Sequence, residues 1–140
     1  MTGAHRRLPF AFYGTLRPGG GAMERLRITR RVTHLGPCLI GGDLYAVTWH
    51  PGLVAGAGEV RGDLFDVPPD LVATLDEFEG YRPDDPASSR YLRVARWLLE
   101  PAVEAWVYLW RGPTADGVFL PGGDWLDHAG GRPLPAHIEV

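Results

Sequence analysis

The chain has 140 residues, of which 45% are apolar, so it is long enough to form one domain with its own core. Its formal net charge of −3 is small and no basic run occurs, which argues against a nucleic-acid-binding protein. The single cysteine, Cys38, excludes an intramolecular disulfide, and its apolar neighbours favour a small core residue over a nucleophile.

The first predicted strand covers residues 8–13 and ends in the segment Tyr13-Gly14-Thr15-Leu16. A proline and three glycines follow, and a short helix is predicted at Ala22–Leu26. This glycine-rich stretch fits two interpretations. It is either a plain turn or a turn that presents backbone N–H groups to something negative. It lacks the residues of a P-loop or of a dinucleotide fingerprint.

Short strands dominate the rest of the chain. Strands or extended segments are predicted at residues 29–35, 37–46, 59–67, 91–99 and 103–110, the last two as a hairpin. Pro68-Pro69-Asp70 starts a predicted helix over residues 71–78, and Gly80 is placed to end it. The tail after about residue 111 gives little signal beyond a helical turn at residues 124–129. Regularly spaced short strands with few helices indicate an α+β domain built on a small closed or nearly closed sheet.

The predicted helix carries a glutamate on its apolar face. At about 100° per residue, its apolar residues form one stripe, and Glu79 falls inside that stripe while Glu77 falls on the opposite side. A buried carboxyl has a raised pKa, which suits a general base or acid near neutral pH. The alternative is that Gly80 ends the helix early and Glu79 points into solvent. Asp76, next to the stripe edge, is predicted to be a surface or capping residue.

Other chemistries find little support. The five histidines are scattered without the spacing of a metal pair, so we expect no metal site and no cofactor. His50, before Pro51-Gly52, is predicted to lie in solvent or in the core rather than at a site. The serines lie only in the polar loop at residues 82–89, which excludes a nucleophile elbow. Because no long apolar run follows the N-terminal arginines, we expect no membrane segment and a cytoplasmic protein.

Several motifs in order resemble the gamma-glutamylcyclotransferase family, in its gamma-glutamylamine cyclotransferase-like branch. They are Tyr13-Gly14-Thr15-Leu16-Arg17, Pro51-Gly52, Val60-Arg61-Gly62-Asp63-Leu64-Phe65, Leu75-Asp76-Glu77-Phe78-Glu79-Gly80-Tyr81, Tyr91-Leu92-Arg93 and Ala105-Trp106-Val107-Tyr108. The resemblance spans residues 10–112 of a single domain at 1–140, with the tail at 113–140 unassigned. It implies a small mixed β-barrel with short helices packed outside it.

The resemblance also implies an activity. Family enzymes cleave a γ-glutamyl amide when the substrate's own α-amine attacks its γ-carbonyl, which releases 5-oxoproline and a free amine. The family's catalytic glutamate corresponds to Glu79, and Gly14, Thr15 and Leu16 would line the oxyanion site. Three tyrosines would lie near the substrate, although core packing explains each of them equally well. They are Tyr13, Tyr91 and Tyr108.

Two other functions stay open at this point. The chain resembles tailoring enzymes that remove a γ-glutamyl group from a specialised metabolite as much as it resembles enzymes acting on γ-glutamyl amines or peptides. A barrel of this fold that only binds a small ligand or a protein is the non-catalytic alternative.

Arg17 is interpreted as a solvated loop residue or a substrate contact, and Arg93 as a structural ion-pair partner. The expected partner is a small-molecule γ-glutamyl amine or peptide, with a homodimer left open.

Overall fold

The computed structural model describes residues 7–47 and 50–129, which form a six-stranded mixed sheet with short helices. In chain order the elements are β1 (Phe10–Phe12), α1 (Ala22–Leu26), β2 (Thr33–Val47), β3 (His50–Asp66), α2 (Val72–Glu79), β4 (Tyr91–Trp97), β5 (Glu104–Trp110), β6 (Val118–Phe119) and α3 (Trp125–Ala129). The strand order is β4-β5-β1-β3-β2-β6, and only β1 and β5 pair in parallel. None of these helices in the described part of the chain has the length and apolar character of a membrane span.

The long antiparallel pair of β2 and β3 gives the sheet its curvature. Register shifts interrupt the pairing between His34 and Gly36 and between Gly41 and Asp43. Gly42 has a φ of 143°, and a Cβ there would lie 2.7 Å from the carbonyl oxygen of Val54, so the second irregularity requires glycine. Such bulges bend a strand and increase its twist, and the sheet curls into a half-barrel. The predicted α+β fold with a mixed barrel-like sheet is therefore confirmed, as a half-barrel.

Hydrogen bonds from the β4–β5 connection to β2 brace the curved sheet. The N–H of Leu99 donates to the carbonyl of Leu39 at 2.9 Å, and the N–H of Leu39 donates to that of Glu100 at 2.7 Å. These two bonds join strands that lie far apart in the strand order. They hold the concave shape that the bulges of β2 allow.

Two apolar clusters form the core, and β1 supplies residues to both. Phe10 and Phe12 pack in one cluster with residues of α1 and α2, whereas Ala11 and Tyr13 pack in the other with Trp125 of α3. This division follows from the alternation of side chains along a strand. Because β1 is central in the sheet, its C-terminal end emerges between the two clusters.

Several predicted boundaries shift. The strand predicted at residues 29–35 begins only at Thr33, because the N–H of Arg31 closes a turn onto Ile28. The strand predicted at residues 59–67 begins earlier, because β3 runs unbroken from His50 to Asp66. The described part of the unassigned tail, residues 113–129, is part of the fold, since β6 pairs with β2 and the helical turn predicted at residues 124–129 forms α3. The rest of the tail lies outside the described residues. Cys38 is buried in the core as predicted.

The loop at residues 82–89 is held by one buried hydroxyl. Ser89 accepts the N–H of Arg82 at 2.8 Å and donates to the carbonyl of Asp85 at 3.2 Å. We expect Ser89→Ala to destabilise the protein by about 1 kcal/mol, since it leaves a loop N–H without its acceptor. We also expect faster cleavage before Asp84 and Asp85 by endoproteinase Asp-N. Ser88, whose exposed hydroxyl donates to the carbonyl and the carboxylate of Asp85, is the comparison. Equal sensitivity of Ser88→Ala and Ser89→Ala would contradict a special role of the buried hydroxyl.

Candidate active site

A pocket opens where β1 ends and the chain enters its first turn. It encloses about 420 Å³ of space, its open mouth included. Its lining residues are Ala11, Phe12, Tyr13, Gly14, Thr15, Leu16, His50, Pro51, Phe78, Glu79, Tyr91 and Tyr108. The structure thus brings all seven residues predicted as site residues to one pocket. Their chemical roles stay predictions.

Glu79 is the last residue of α2 and is half-buried in the pocket wall. The helix continues through Glu79 because Gly80, at a φ of 75°, takes the left-handed conformation that ends it. Glu77 is exposed on the other side of the helix. Burial raises the pKa of the Glu79 carboxyl to about 8, against the lowering effect of the Arg90 cation and with a further rise from Asp76. The carboxyl is therefore mostly protonated at pH 7.

The turn at residues 13–16 lines the same pocket. The N–H of Arg17 bonds the carbonyl of Gly14 at 3.0 Å, which closes a tight turn around Thr15 and Leu16. Among residues 7–47 and 50–129, no acceptor is found for the N–H groups of Thr15 and Leu16. Leu16 is buried, so its N–H lacks ready access to solvent as well. Both residues line the pocket, so an acceptor bound there is the partner that we expect for these N–H groups.

The glycines around this turn allow close packing and backbone angles that other residues avoid. A Cβ on Gly14 would lie 2.5 Å from Cγ of Pro51, which also lines the pocket. A Cβ on Gly20 would lie 2.3 Å from the carbonyl oxygen of Thr15. Gly19 and Gly21 both have positive φ angles, which most side chains avoid. The interpretation as a turn therefore holds, since residues 19–21 fold the loop. That the preceding turn presents its N–H groups to something negative stays a prediction.

The three predicted tyrosines are buried and their hydroxyls have protein partners. Tyr13 donates to the carbonyl of Tyr108 at 2.6 Å and accepts the N–H of Leu53 at 3.3 Å. Tyr91 donates to the carbonyl of Pro51. Burial raises the pKa of all three phenols, so they stay neutral at physiological pH. They are core residues whose surfaces also shape the pocket.

Asp76 was predicted at the surface, and that prediction is wrong. Its side chain is buried, and its carboxylate accepts the Tyr108 hydroxyl at 2.7 Å and the Arg93 guanidinium at 2.9 and 3.2 Å. Arg93 in turn stacks on Trp106, with 4.4 Å between the guanidinium carbon and the ring centroid. Arg93 is thus the structural ion-pair partner that the sequence predicted. The cluster fixes Tyr108 next to α2 and Glu79.

Arg17 bridges two elements beside the pocket. Its guanidinium pairs with Asp63 of β3 at 2.8 Å and with Asp124 before α3 at 3.0 Å. His34 completes this cluster with a 2.9 Å contact to Asp63. Arg17 is part-buried and is not among the residues lining the pocket. Its side chain joins the end of the turn to the sheet and to the tail.

Sequence reasoning missed two residues near Glu79. His50 lines the pocket, although it was predicted to lie in solvent or core. Arg90 packs against Gly80, where a Cβ would lie 2.7 Å from the arginine Nε. The Pro51-Gly52 motif that follows His50 was the available signal for this histidine, and nothing in the sequence marked Arg90. No group of His, Cys, Asp or Glu side chains that could hold a metal ion occurs among the described residues.

Comparison with known proteins agrees with this architecture. The sequence profile described as "Gamma-glutamyl cyclotransferase, AIG2-like" matches residues 10–127, past residue 112, where the resemblance ended, and into α3. Gamma-glutamylcyclotransferase family protein YtfP of Escherichia coli strain K12 is 33% identical over 85 residues, which are 60% of this chain and 67% of that protein.

Two solved structures show the same fold. The solution structure of ytfP from Escherichia coli has a TM-score of 0.66 at 25% identity and covers 87% of this chain and 99% of that one. The crystal structure of an AIG2-like protein from Mus musculus has a TM-score of 0.56 at 24% identity, covering 75% of this chain and 78% of that one. With the profile match across most of its length, this chain belongs to the AIG2-like gamma-glutamyl cyclotransferase family.

Proposed function

We propose that this protein is a γ-glutamylcyclotransferase that cleaves a γ-glutamyl amide by internal cyclisation and releases 5-oxoproline and a free amine. The observation that carries the proposal is that the Glu79 carboxyl and the turn at residues 13–16 line one pocket. Attack of an amine on an amide carbonyl requires a proton carrier and donors for the oxyanion. This pocket offers both.

The turn stabilises the oxyanion that develops during the reaction. When the α-amine attacks the γ-carbonyl carbon, an electron pair moves onto the carbonyl oxygen. The N–H groups of Thr15 and Leu16 are fixed in the turn before the reaction starts, so they can bond this oxygen without reorganisation. One such donor contributes roughly 3–4 kcal/mol to lowering the barrier. Family membership supports this role for the turn.

Glu79 transfers protons from the α-nitrogen and to the leaving nitrogen of the substrate. Cyclisation removes protons from the α-nitrogen and adds protons to the leaving nitrogen. A carboxyl with a pKa of about 8 both gives and accepts protons near neutral pH, which is what this transfer needs. Ala11, Leu16 and Phe78 give the pocket an apolar part of its lining beside this carboxyl. Glu79 is the proposed general acid and base.

The test is a turnover assay with purified protein. We would incubate it with γ-glutamyl-lysine, γ-glutamyl-alanine, glutathione and a γ-glutamyl alkylamine, and measure 5-oxoproline and the released amine. The proposal expects equal amounts of both products from at least one substrate, and release slowed by about 10²-fold or more in the Glu79→Gln variant. Binding of these amides without release of 5-oxoproline from any of them would overturn the proposal in favour of a ligand-binding protein.

A further inference from the structure

A hydrogen bond of His50 fixes which of its ring nitrogens carries the proton. Nδ1 of His50 lies 3.2 Å from the hydroxyl of Tyr91. That hydroxyl already donates its proton to the carbonyl of Pro51, so it can only accept from the imidazole. Nδ1 must therefore carry the ring proton, which leaves the lone pair on Nε2. A neutral His50 is thus a proton acceptor at Nε2, in the pocket that contains Glu79.

The surroundings of His50 keep its ring in place and uncharged. The ring packs against Trp110 of β5, with 5.6 Å between centroids, and against Tyr91 of β4 at 6.2 Å. Burial lowers the pKa of His50 below its ordinary value of 6.5, and the Arg90 cation lowers it further. Glu79 on α2 is the remaining titratable side chain of the pocket, apart from the neutral tyrosines.

We propose that His50 is a second proton-transfer residue of this site, whose Nε2 accepts the first proton from the substrate's α-ammonium group while the Glu79 carboxylic acid protonates the leaving nitrogen. This inference rests on the proposed cyclotransferase function and adds a catalytic residue to it. Two acid–base groups whose environments push their pKa values in opposite directions commonly divide the roles of base and acid. Glu79 is held protonated and His50 is held neutral.

The proton balance uses both groups once. The α-ammonium gives a proton to Nε2 of His50, and the free amine then forms a bond to the γ-carbonyl carbon. The tetrahedral intermediate breaks its bond to the leaving nitrogen, which takes the proton of Glu79. The new ring nitrogen returns a proton to the Glu79 carboxylate, and the imidazolium of His50 gives its proton to the departing amine. Two protons leave the α-nitrogen and two reach the leaving nitrogen, and both side chains are restored.

The pH dependence of kcat/KM in the native protein distinguishes this arrangement from catalysis by an ionised Glu79 alone, because kcat/KM reports the titration of the free protein. With His50 as base and Glu79 as acid, kcat/KM falls on the acidic side as His50 becomes protonated below pH 6.5 and falls again above about pH 8 as Glu79 ionises. With Glu79 as the only base, kcat/KM rises through pH 8. A rise through pH 8 would overturn the proposal without any variant.

Two variants complete the experiment. His50→Asn keeps a side-chain donor for the Tyr91 hydroxyl but has no nitrogen that accepts a proton, so we expect kcat to fall about 10²-fold with KM nearly unchanged and the acidic inflection to disappear. His50→Ala should regain turnover when imidazole is added, which a merely structural role of His50 would not produce. Native-like thermal melts of both variants confirm folding.

The outcomes separate the two proposals. Release of 5-oxoproline by the native protein, with unchanged kcat and pH profile in His50→Asn, would overturn the role of His50 and leave the cyclotransferase function standing. If the native protein itself releases no 5-oxoproline from any amide tested, both proposals fall together.

Discussion

Replacing Glu79 by glutamine is expected to lower kcat for 5-oxoproline release by about 10²–10⁴-fold, because glutamine neither donates nor accepts a proton in the reaction. The side chain keeps its length and loses only its ionisable group, so KM should change little. Steady-state assays with the best substrate of the panel measure both parameters. The neighbouring Glu77 offers a matched control, since it lies exposed on the other side of α2. Turnover by Glu79→Gln equal to that of Glu77→Gln would rule out the catalytic role.

The same variant has an expected effect on stability with a defined sign. The pKa of Glu79 is about 8 in the folded protein and near 4.5 when the chain is unfolded. The folded state therefore binds the proton more tightly, and the stability it gains is complete below pH 4.5 and is lost as the pH rises toward 8. Glutamine stays neutral throughout. Glu79→Gln should melt at the same temperature as the native protein at pH 4.5 and at a higher temperature at pH 8, a difference that thermal melts detect directly.

Replacing Asp76 by alanine is expected to destabilise the fold by about 3 kcal/mol, the lower end of the usual range for breaking a buried ion pair. The lower end applies because the Arg93 side chain is 16% exposed, so solvent partly stabilises its charge, and because its stack on Trp106 remains. The substitution leaves the guanidinium without its carboxylate and the Tyr108 hydroxyl without its acceptor. Urea unfolding gives the change as a shift of the midpoint.

Two further variants identify the cause of that loss. Glu77→Ala, on the exposed side of the same helix, should change stability by less than about 0.5 kcal/mol. The double variant Asp76→Ala/Arg93→Met removes both charges and should be more stable than Asp76→Ala alone, because no unpaired cation remains near α2. A double variant less stable than the single one would show that the loss comes from packing rather than from the ion pair.

Local features of the sequence were sufficient to predict part of the site. The helical period placed Glu79 on the apolar face, and Gly80 marked the residue where the helix ends. The Pro- and Gly-rich stretch after Tyr13 predicted a turn there, because few other residues adopt those backbone angles. Both signals act within a few residues along the chain. For that reason they can be recognised in the sequence without knowing which distant residues contact them in the folded protein.

The residues that were mispredicted depend on partners far away in sequence. Asp76 has the pattern of a surface residue. Its carboxylate can be buried only because Arg93 and Tyr108, which lie 17 and 32 residues later in the sequence, donate hydrogen bonds to it. His50 has no local pattern, and it faces Tyr91 only because β3 and β4 meet at the pocket. The half-barrel likewise depends on the bulges of β2 and on the bonds between its residue Leu39 and the β4–β5 connection.

The sequence by itself therefore determined the strand-rich fold class, the family resemblance, the turn at residues 13–16 and the apolar-face position of Glu79. The tertiary structure alone decided that these pieces share one pocket, that Glu79 has a pKa of about 8, and that His50 and Asp76 lie beside them. The physical reason is that backbone preference and side-chain period are local, whereas desolvation and charge pairing depend on every group that folding brings within a few ångströms.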